Sequence, residues 1–156
     1  MSYASPILIL PCSGPKLTGP QLAIDKYTGT SVWGLLRSSA DWERLKYAAS
    51  IYIVSAEHGL LRWCDTVDDY DTAMTPQRAD YLRARPGASR HFRMHCMPLP
   101  TRTPIYVALP KSYREVVLHW AGGFKGHPNV HCYPAGAGIG VQRQYLKRWM
   151  QEIVSL

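Results

Sequence analysis

Four short apolar segments most constrain the fold of this chain, because stretches with helical periodicity separate them along its 156 residues. The segments lie at residues 7–10, 50–55, 104–109 and 129–133. They are rich in β-branched residues and tyrosine and are flanked by Gly, Pro, Asn or Ser, which favours strands over helices. Strands that alternate with helices predict a single α/β domain over residues 1–156, with a mostly parallel central sheet of about four strands. Because the segments are continuously apolar, we expect helices to flank both faces of the sheet.

The stretches between these segments carry apolar residues at steps of three and four, which is typical of amphipathic helices. These residues are Val32, Leu35 and Leu36; Trp42, Leu45 and Ala49; Tyr113, Val116, Val117 and Trp120; and Val141, Tyr145, Trp149 and Ile153. A further helix is predicted to begin at Thr75 and Pro76, since threonine is a common N-cap and proline is tolerated in the first turn. Residues 85–103 contain several prolines, and we expect a short helix and a loop there.

The charge balance favours a polyanionic partner. The chain has 18 Lys and Arg against 11 Asp and Glu, a formal net charge of +7. The most basic stretch interleaves arginines with aromatic rings, a combination that suits phosphates and bases. Its arginines are Arg78, Arg83, Arg85, Arg90 and Arg93. We expect these side chains to contact a nucleic-acid backbone; a solvated helix face is the alternative interpretation.

Cysteine and histidine usage indicates neither disulfides nor a metal centre. Cys12, Cys64, Cys96 and Cys132 are far apart, and no CxxC pair occurs. The histidine and cysteine spacings match no common zinc frame, so we expect no metal. The chain shows no signal-peptide pattern and no apolar stretch of the ~18 residues that a membrane span needs. We therefore expect reduced thiols in a cytoplasmic protein that does not associate with membranes.

The loops that follow the four predicted strands share small and polar residues. In open α/β sheets, ligands bind in the crevice beyond the carboxyl ends of the strands. The four loops read PCSGPKL, AEHGLLRW, PKSYRE and PAGAGIGVQRQ. Their shared character predicts a ligand site at the carboxyl edge of the sheet.

The first loop has the parts of an anion-binding cradle. Backbone N–H groups around Gly14, the Ser13 hydroxyl and the Lys16 ammonium are all suitable donors. Cys12 has no local histidine to activate it, so we expect it to line the site as a packed thiol instead of acting as a nucleophile. In the last loop, Gly138 and Gly140 would let the backbone approach a ligand at a helix N-terminus.

Two further segments carry candidate acids and bases. Glu57 and His58 follow the second strand and could act in proton transfer, although a histidine before a glycine is also a common turn residue. Residues 65–71 contain four aspartates, which could be solvated turn caps. We expect this acidic cluster to be buried, with at least one carboxylate reaching a pocket lined by Tyr70.

The motifs together resemble a known family. In order, they are PCSGPK, AIDKYTG, YIVSAEHGLL, DDYDTAM, VALPKSYREVV and GAGIGVQ. From about residue 7 to residue 150, the chain is similar to a small bacterial and phage domain. That domain is similar in turn to the PCSxxK-containing domain of archaeosine synthase and, more distantly, to the YaaA peroxide-stress proteins.

The resemblance implies an α/β fold with its site at the strand ends, and a link to modified bases in RNA or DNA. Some proteins of this kind are DNA glycosylases directed against modified phage bases. Matched positions mark Ser13, Lys16, Asp25, Tyr27, Ser55, Gly59, Tyr70, Asp71, Tyr113, Gly138 and Gly140. The stretch LTGPQ replaces the PYxxS-like segment of archaeosine synthase, which argues against amidine-forming chemistry.

The leading hypothesis is a DNA glycosylase that hydrolyses the N-glycosidic bond of a modified phage-type base, in antiphage defence. Asp25 or Asp71 would stabilise the sugar cation, with Asp25 preferred, and Lys16 or His58 would assist the departing base. Stacking would come from the tyrosines Tyr27, Tyr70 and Tyr113, and no cofactor is required. Two alternatives stay open: a base-exchange or base-modifying transferase acting on DNA or tRNA, and a nucleic-acid-binding protein without catalytic activity.

Overall fold

The computed structural model describes residues 5–29, 31–97 and 102–156, and the fold has three layers. The strands are β1 (Ile7–Pro11), β2 (Gln21–Leu22), β3 (Ser50–Ser55), β4 (Gly59–Arg62), β5 (Thr66–Val67), β6 (Ile105–Val107) and β7 (Val130–Cys132). The helices are α1 (Ala23–Lys26), α2 (Val32–Ser38), α3 (Trp42–Ala48), α4 (Pro76–Ala84), α5 (Ala88–Cys96), α6 (Lys111–Trp120) and α7 (Ile139–Val154). Five strands make the central sheet in the order β4-β3-β1-β6-β7, while β2 and β5 form a small antiparallel ribbon.

The central sheet is parallel except at one edge. Strand β1 pairs in parallel with β3 and with β6, and β7 pairs in parallel with β6. Strand β4 turns back antiparallel onto β3. The α/β prediction is therefore confirmed, with one strand more than expected, because residues 59–62 were predicted as loop.

Each face of the sheet carries its own apolar core. In β1, Leu8 and Leu10 contribute to the core under α2, α3 and α7. Ile7 and Ile9 contribute to the core under α4, α5 and α6. All four are at most 2% exposed. A strand covered on both faces has no polar side, which explains the continuous apolar run in the sequence.

The predicted helices are confirmed, with small changes at their ends. Thr75 caps α4, since its hydroxyl oxygen accepts a hydrogen bond from the Arg78 N–H at 3.1 Å, and Pro76 occupies the first turn. The short helix expected within residues 85–103 is α5, and part of the expected loop falls on residues 98–101, outside the described residues. None of the helices described is both long enough and apolar enough to cross a membrane.

The connections that follow the neighbouring strands β1 and β6 pass to opposite faces of the central sheet. After β1 the chain passes to the face covered by α2 and α3, whereas after β6 it passes to the face covered by α6. Strands β1 and β6 are adjacent in the sheet. Such a reversal opens a crevice at the carboxyl ends of the two strands, where α/β proteins place their ligands.

Candidate functional site

A cavity of about 340 Å³ occupies the crevice beyond β1 and β6. We call it the central cavity. The loop after β1, the loop after β6 and the first turns of α2 and α7 form its walls. Val32, Trp33 and Ile139 give it apolar sides, and Trp33 is fixed by a hydrogen bond from its indole N–H to the Pro11 carbonyl at 2.8 Å. Flat apolar walls with a few polar groups are typical of sites for small ring compounds.

Cys12 and Tyr113 close the crevice from its two sides. The Cys12 sulfur and the Tyr113 hydroxyl oxygen are 3.2 Å apart, although the residues are separated by 101 positions. Burial, followed by the proximity of Cys12, raises the pKa of Tyr113 well above its ordinary value. Tyr113 is therefore a neutral phenol at physiological pH, and it presents a hydrogen-bonding group to the central cavity.

A hydroxyl network of Ser55, Tyr70 and Tyr27 lies beside Cys12. Ser55 ends β3; its oxygen accepts the Glu57 and His58 backbone N–H groups at 3.2 and 3.1 Å and donates to the Tyr70 hydroxyl at 3.0 Å. The Tyr70 and Tyr27 hydroxyl oxygens are 2.7 Å apart. Burial raises the pKa of Tyr27 to about 12 and also raises that of Tyr70, and the position of Cys12 adds to both shifts.

One proton of the hydroxyl network is left for a ligand. Three hydroxyls carry three protons, and two are used in the hydrogen bonds that join them. Tyr27 is fully buried, so its O–H group needs a hydrogen-bond acceptor inside the protein. Tyr27 is therefore the donor in its hydrogen bond with Tyr70. The spare O–H then belongs to the half-buried Tyr70.

The two tyrosines are held together by an ion pair that the sequence analysis missed. The Lys26 ammonium lies 2.7 Å from an Asp69 carboxylate oxygen and 2.6 Å from the Gly19 carbonyl oxygen. Lys26 is fully buried, and its hydrogen bond is the main cause that lowers the pKa of Asp69. Lys26 precedes Tyr27 and Asp69 precedes Tyr70 in the chain, so the ion pair fixes the position of the two tyrosines relative to each other. The only sequence signal is that a lysine and an aspartate each precede a tyrosine of the predicted site.

Lys16 and His58 flank the Tyr70 ring. The Lys16 ammonium lies 4.5 Å from the ring centroid, and the His58 ring meets it edge-on with centroids 5.1 Å apart. Lys16 also donates to the Gly14 carbonyl at 3.0 Å, and its backbone pairs with that of Tyr27. These two proton carriers, predicted from separate loops, are therefore brought together around one phenol.

Ser13 stabilises its own loop. Its hydroxyl donates to the Pro15 carbonyl at 2.6 Å, and its oxygen accepts the Gly29 N–H at 3.4 Å. The hydroxyl proton is thus already used within the loop. Ser13 and Gly14 line the central cavity as predicted, but they contribute surface and backbone to it.

The expectation of a buried acidic cluster is wrong. Asp68, Asp69 and Asp71 are exposed, and the half-buried Asp65 pairs with Arg62 at 3.0 Å. These carboxylates lie in the short ribbon and in the segment after it, whose polar side faces solvent. Their number in the sequence did not indicate burial, because turn residues commonly carry aspartate for local hydrogen bonding.

Asp25, the preferred catalytic carboxylate, lies apart from the central cavity. It is exposed on α1, and its charge acts on Arg37 in the last turn of α2. The cavity adjoins the opposite end of that helix, at Ser31 and Val32. Asp71 follows Tyr70 directly and makes no hydrogen bond or ion pair with any described residue. Glu57, by contrast, accepts a hydrogen bond from the Thr72 hydroxyl, which lowers its pKa, and lies 3.9 Å from the Arg78 guanidinium.

The arginine-rich stretch divides into structural and free side chains. Arg78 donates to the carbonyls of Ala56 and Glu57, and Arg93 donates to the Trp120 carbonyl at 3.1 Å. Arg83 pairs with Asp80 on the same helix. The expectation that the five arginines contact a nucleic acid stays a prediction, and in these three at least some of the donors also serve the fold. Arg90 is exposed and pairs with nothing in the described part of the chain, and Arg85 lines a second cavity.

The glycines predicted for the site differ in whether the backbone conformation requires a glycine at that position. Gly59 is buried with φ of +74°, a conformation that only glycine adopts without strain. Gly138 caps α7 and Gly140 lies in its first turn, both exposed, and a Cβ at either position would meet open space. The backbone therefore requires glycine at position 59 and not at 138 or 140.

Fold and site define an α/β domain with a ring-sized cavity at a reversal of strand order, beside a network of neutral phenols. Within residues 5–29, 31–97 and 102–156, no three His, Cys, Asp or Glu side chains converge as metal ligands would. Comparison of the chain with protein-family models, with curated proteins and with solved structures finds no match.

Proposed function

We propose that the protein is a DNA glycosylase that hydrolyses the N-glycosidic bond of a modified base, in antiphage defence. The observation that carries the proposal is the central cavity and its polar groups, which lie where the strand order reverses. At about 340 Å³ the cavity is near the lower end of the range for ligand sites, about 300–1,000 Å³, and suits one base taken out of the stack. The unpaired thiols of all four cysteines support the cytoplasm as the place of action.

Base recognition would use neutral groups. A base would lie between the apolar wall formed by Trp33 and Ile139 and the Cys12–Tyr113 pair. Tyr70 would offer its spare O–H from the hydroxyl network. Neutral donors and acceptors suit an uncharged base, because they need no counter-charge in a partly dry site.

The chemical step assigns one role to each remaining group. Hydrolysis breaks the bond between the sugar C1′ and the base nitrogen, and the electron pair leaves with the base. Lys16 or His58, which flank Tyr70, would give the base a proton. Water would add its oxygen to C1′, and a carboxylate would take the water proton and stabilise the sugar cation. We assign that carboxylate to Asp71 in place of Asp25, because Asp71 adjoins Tyr70 and has no partner among the described residues.

The test is base release from DNA that carries different modified bases, with mass spectrometry to detect free base and abasic sites. We expect Asp71→Asn to lower base release at least about 100-fold, since it removes a group that acts in the transition state. Asp25→Asn is the matched control, an exposed carboxylate of the same type that lies away from the cavity, and should retain activity. Equal activity of Asp71→Asn and the wild type would refute the assigned role, and absence of release from every DNA would refute the glycosylase.

One observation favours the non-enzymatic alternative. The acidic cluster is exposed, so its carboxylates are compatible with solvated turn residues and need no catalytic role. Such a protein would bind DNA with an affinity that falls steeply with salt, yet would form no abasic sites. The transferase alternative is distinguished in the same assay by adding labelled free base, since incorporation into DNA indicates exchange.

A further inference from the structure

A second cavity of about 290 Å³ lies at the β3–β4 turn. Its lining includes His58 and Gly59 at the β3–β4 turn, Arg85 at the end of α4, His91 on α5 and Trp120 at the end of α6. The His58 ring packs edge-on against Tyr70, whose hydroxyl belongs to the hydroxyl network beside Cys12 of the central cavity. His58 and Tyr70 therefore connect the second cavity to the network beside the central cavity.

The second cavity carries a cation and no carboxylate in its lining. Arg85 is exposed, and one of its guanidinium nitrogens donates to the His58 carbonyl at 3.2 Å. That bond holds the side chain over the cavity and leaves its other donors available. Two carboxylates outside the lining act on its histidines, Asp65 through its charge on His91 and Glu57 through its interaction with His58.

His91 adds a neutral donor. Burial, followed by the charge of His95, lowers the pKa of His91 below its ordinary value, so the imidazole is uncharged at neutral pH. Its ring centroid lies 4.6 Å from that of His95. The permanent charge in the second cavity thus comes from Arg85, with His58 and His91 as hydrogen-bonding groups beside it.

The backbone leaves room for Arg85. A Cβ at Gly59 would lie 3.5 Å from an Arg85 guanidinium nitrogen and 3.8 Å from the Trp120 ring. The indole of Trp120 is itself fixed by a hydrogen bond to the Leu82 carbonyl at 3.0 Å. Gly59 and Trp120 therefore bound one side of the space beside the exposed Arg85 guanidinium.

We propose that the second cavity binds the phosphate of the nucleotide adjacent to the one in the central cavity, so that the substrate is a polynucleotide strand instead of a free nucleoside. The proposal rests on the proposed function, because it takes the central cavity as the place of the base. A guanidinium with two imidazoles is suited to phosphate oxygens. Strand recognition through one fixed phosphate also determines which nucleotide meets the Tyr70 hydroxyl.

The experiment measures binding of a fluorescein-labelled single-stranded oligothymidylate and, separately, of thymidine. Arg85→Gln should lower affinity for the oligonucleotide about tenfold and lower the salt slope by about one, while thymidine affinity stays unchanged. The matched control is Arg148→Gln, which makes the same charge change on α7, on the opposite face of the sheet. It should change oligonucleotide affinity less than about twofold.

Equal losses in Arg85→Gln and Arg148→Gln would overturn the proposal, because they would show only the effect of net charge. An unchanged oligonucleotide affinity in Arg85→Gln would overturn it as well. The readout is binding, so it is independent of base release: a loss confined to Arg85→Gln supports the phosphate site even if no base is released. Base release by the wild type together with full oligonucleotide binding by Arg85→Gln would refute the phosphate site alone.

Discussion

The central cavity and the second cavity, which are connected through Tyr70 and His58, are built from opposite chemistry. The central cavity has apolar walls and the neutral phenol of Tyr113, whose pKa is raised by burial. Burial also raises the pKa of Tyr70 in the hydroxyl network beside it, and we call the cavity and this network the neutral region. The second cavity has an arginine held at its edge by a main-chain carbonyl. Neutral donors select a ring by the positions of its hydrogen-bonding atoms, whereas a cation attracts any phosphate. Under the proposed function, one region would distinguish the base and the other would hold the strand.

Among the tests of this contrast, the largest effect should come from removing the spare hydroxyl of the neutral region. Tyr70→Phe removes the spare donor at the centre of the hydroxyl network and leaves the ring that contacts Lys16 and His58. We expect base release to fall about 100-fold while the salt slope of DNA binding is unchanged. Tyr47→Phe, at a tyrosine that is 89% exposed, is the control. A change in salt slope without loss of base release would contradict the division of roles.

The next largest effect concerns the ion pair that supports the neutral region. Asp69→Asn leaves the buried Lys26 ammonium without its carboxylate, so we expect the Tm to fall by about 5 °C. Asp68→Asn, one residue earlier and also exposed, should change the Tm by less than about 1 °C. Thermal unfolding followed by circular dichroism measures both. Equal values for the two variants would show that the ion pair does not support the fold.

The same ion pair predicts that the protein loses stability at acid pH. The pKa of folded Asp69 lies below its ordinary value of 3.8, so the unfolded chain takes up the proton first as the pH falls. The stabilisation is complete above 3.8 and is lost as the pH falls through the lower folded pKa. The Tm difference between wild type and Asp69→Asn should therefore shrink between about pH 5 and pH 2. A constant difference across that range would exclude the ion pair as its source.

The smallest effect is expected at Gly59, in the lining of the second cavity. Gly59→Ala places a side chain at φ of +74° close to Arg85, and should destabilise the fold by about 1 kcal/mol. Gly138→Ala, at a position with open space and extended backbone, should stay within about 0.5 kcal/mol of the wild type. Urea unfolding compares the two. A Gly138 variant as unstable as the Gly59 variant would show that the backbone conformation is not the cause.

Much of the fold follows from local patterns in the sequence. The apolar run of β1 and the threonine cap of α4 each depend on residues close together in the chain, and both are confirmed. Strand β4 was missed because its four residues pair with β3 through a tight turn, and GLLR is too short to show a period. The burial of Lys26 could not be predicted either, because a lysine is buried only where a distant partner meets it.

The sequence by itself determined the type of each main element and which loops lie at the carboxyl edge of a parallel sheet. Only the tertiary structure decided the strand order β4-β3-β1-β6-β7, and with it the meeting of Cys12 and Tyr113 across the reversal between β1 and β6. It also brought Tyr70 to Tyr27 and left Asp25 and Asp71 on the surface. The reason is physical: periodicity and capping arise between neighbours along the chain, whereas burial, hydrogen-bond partners and cavities arise from segments that lie far apart in it.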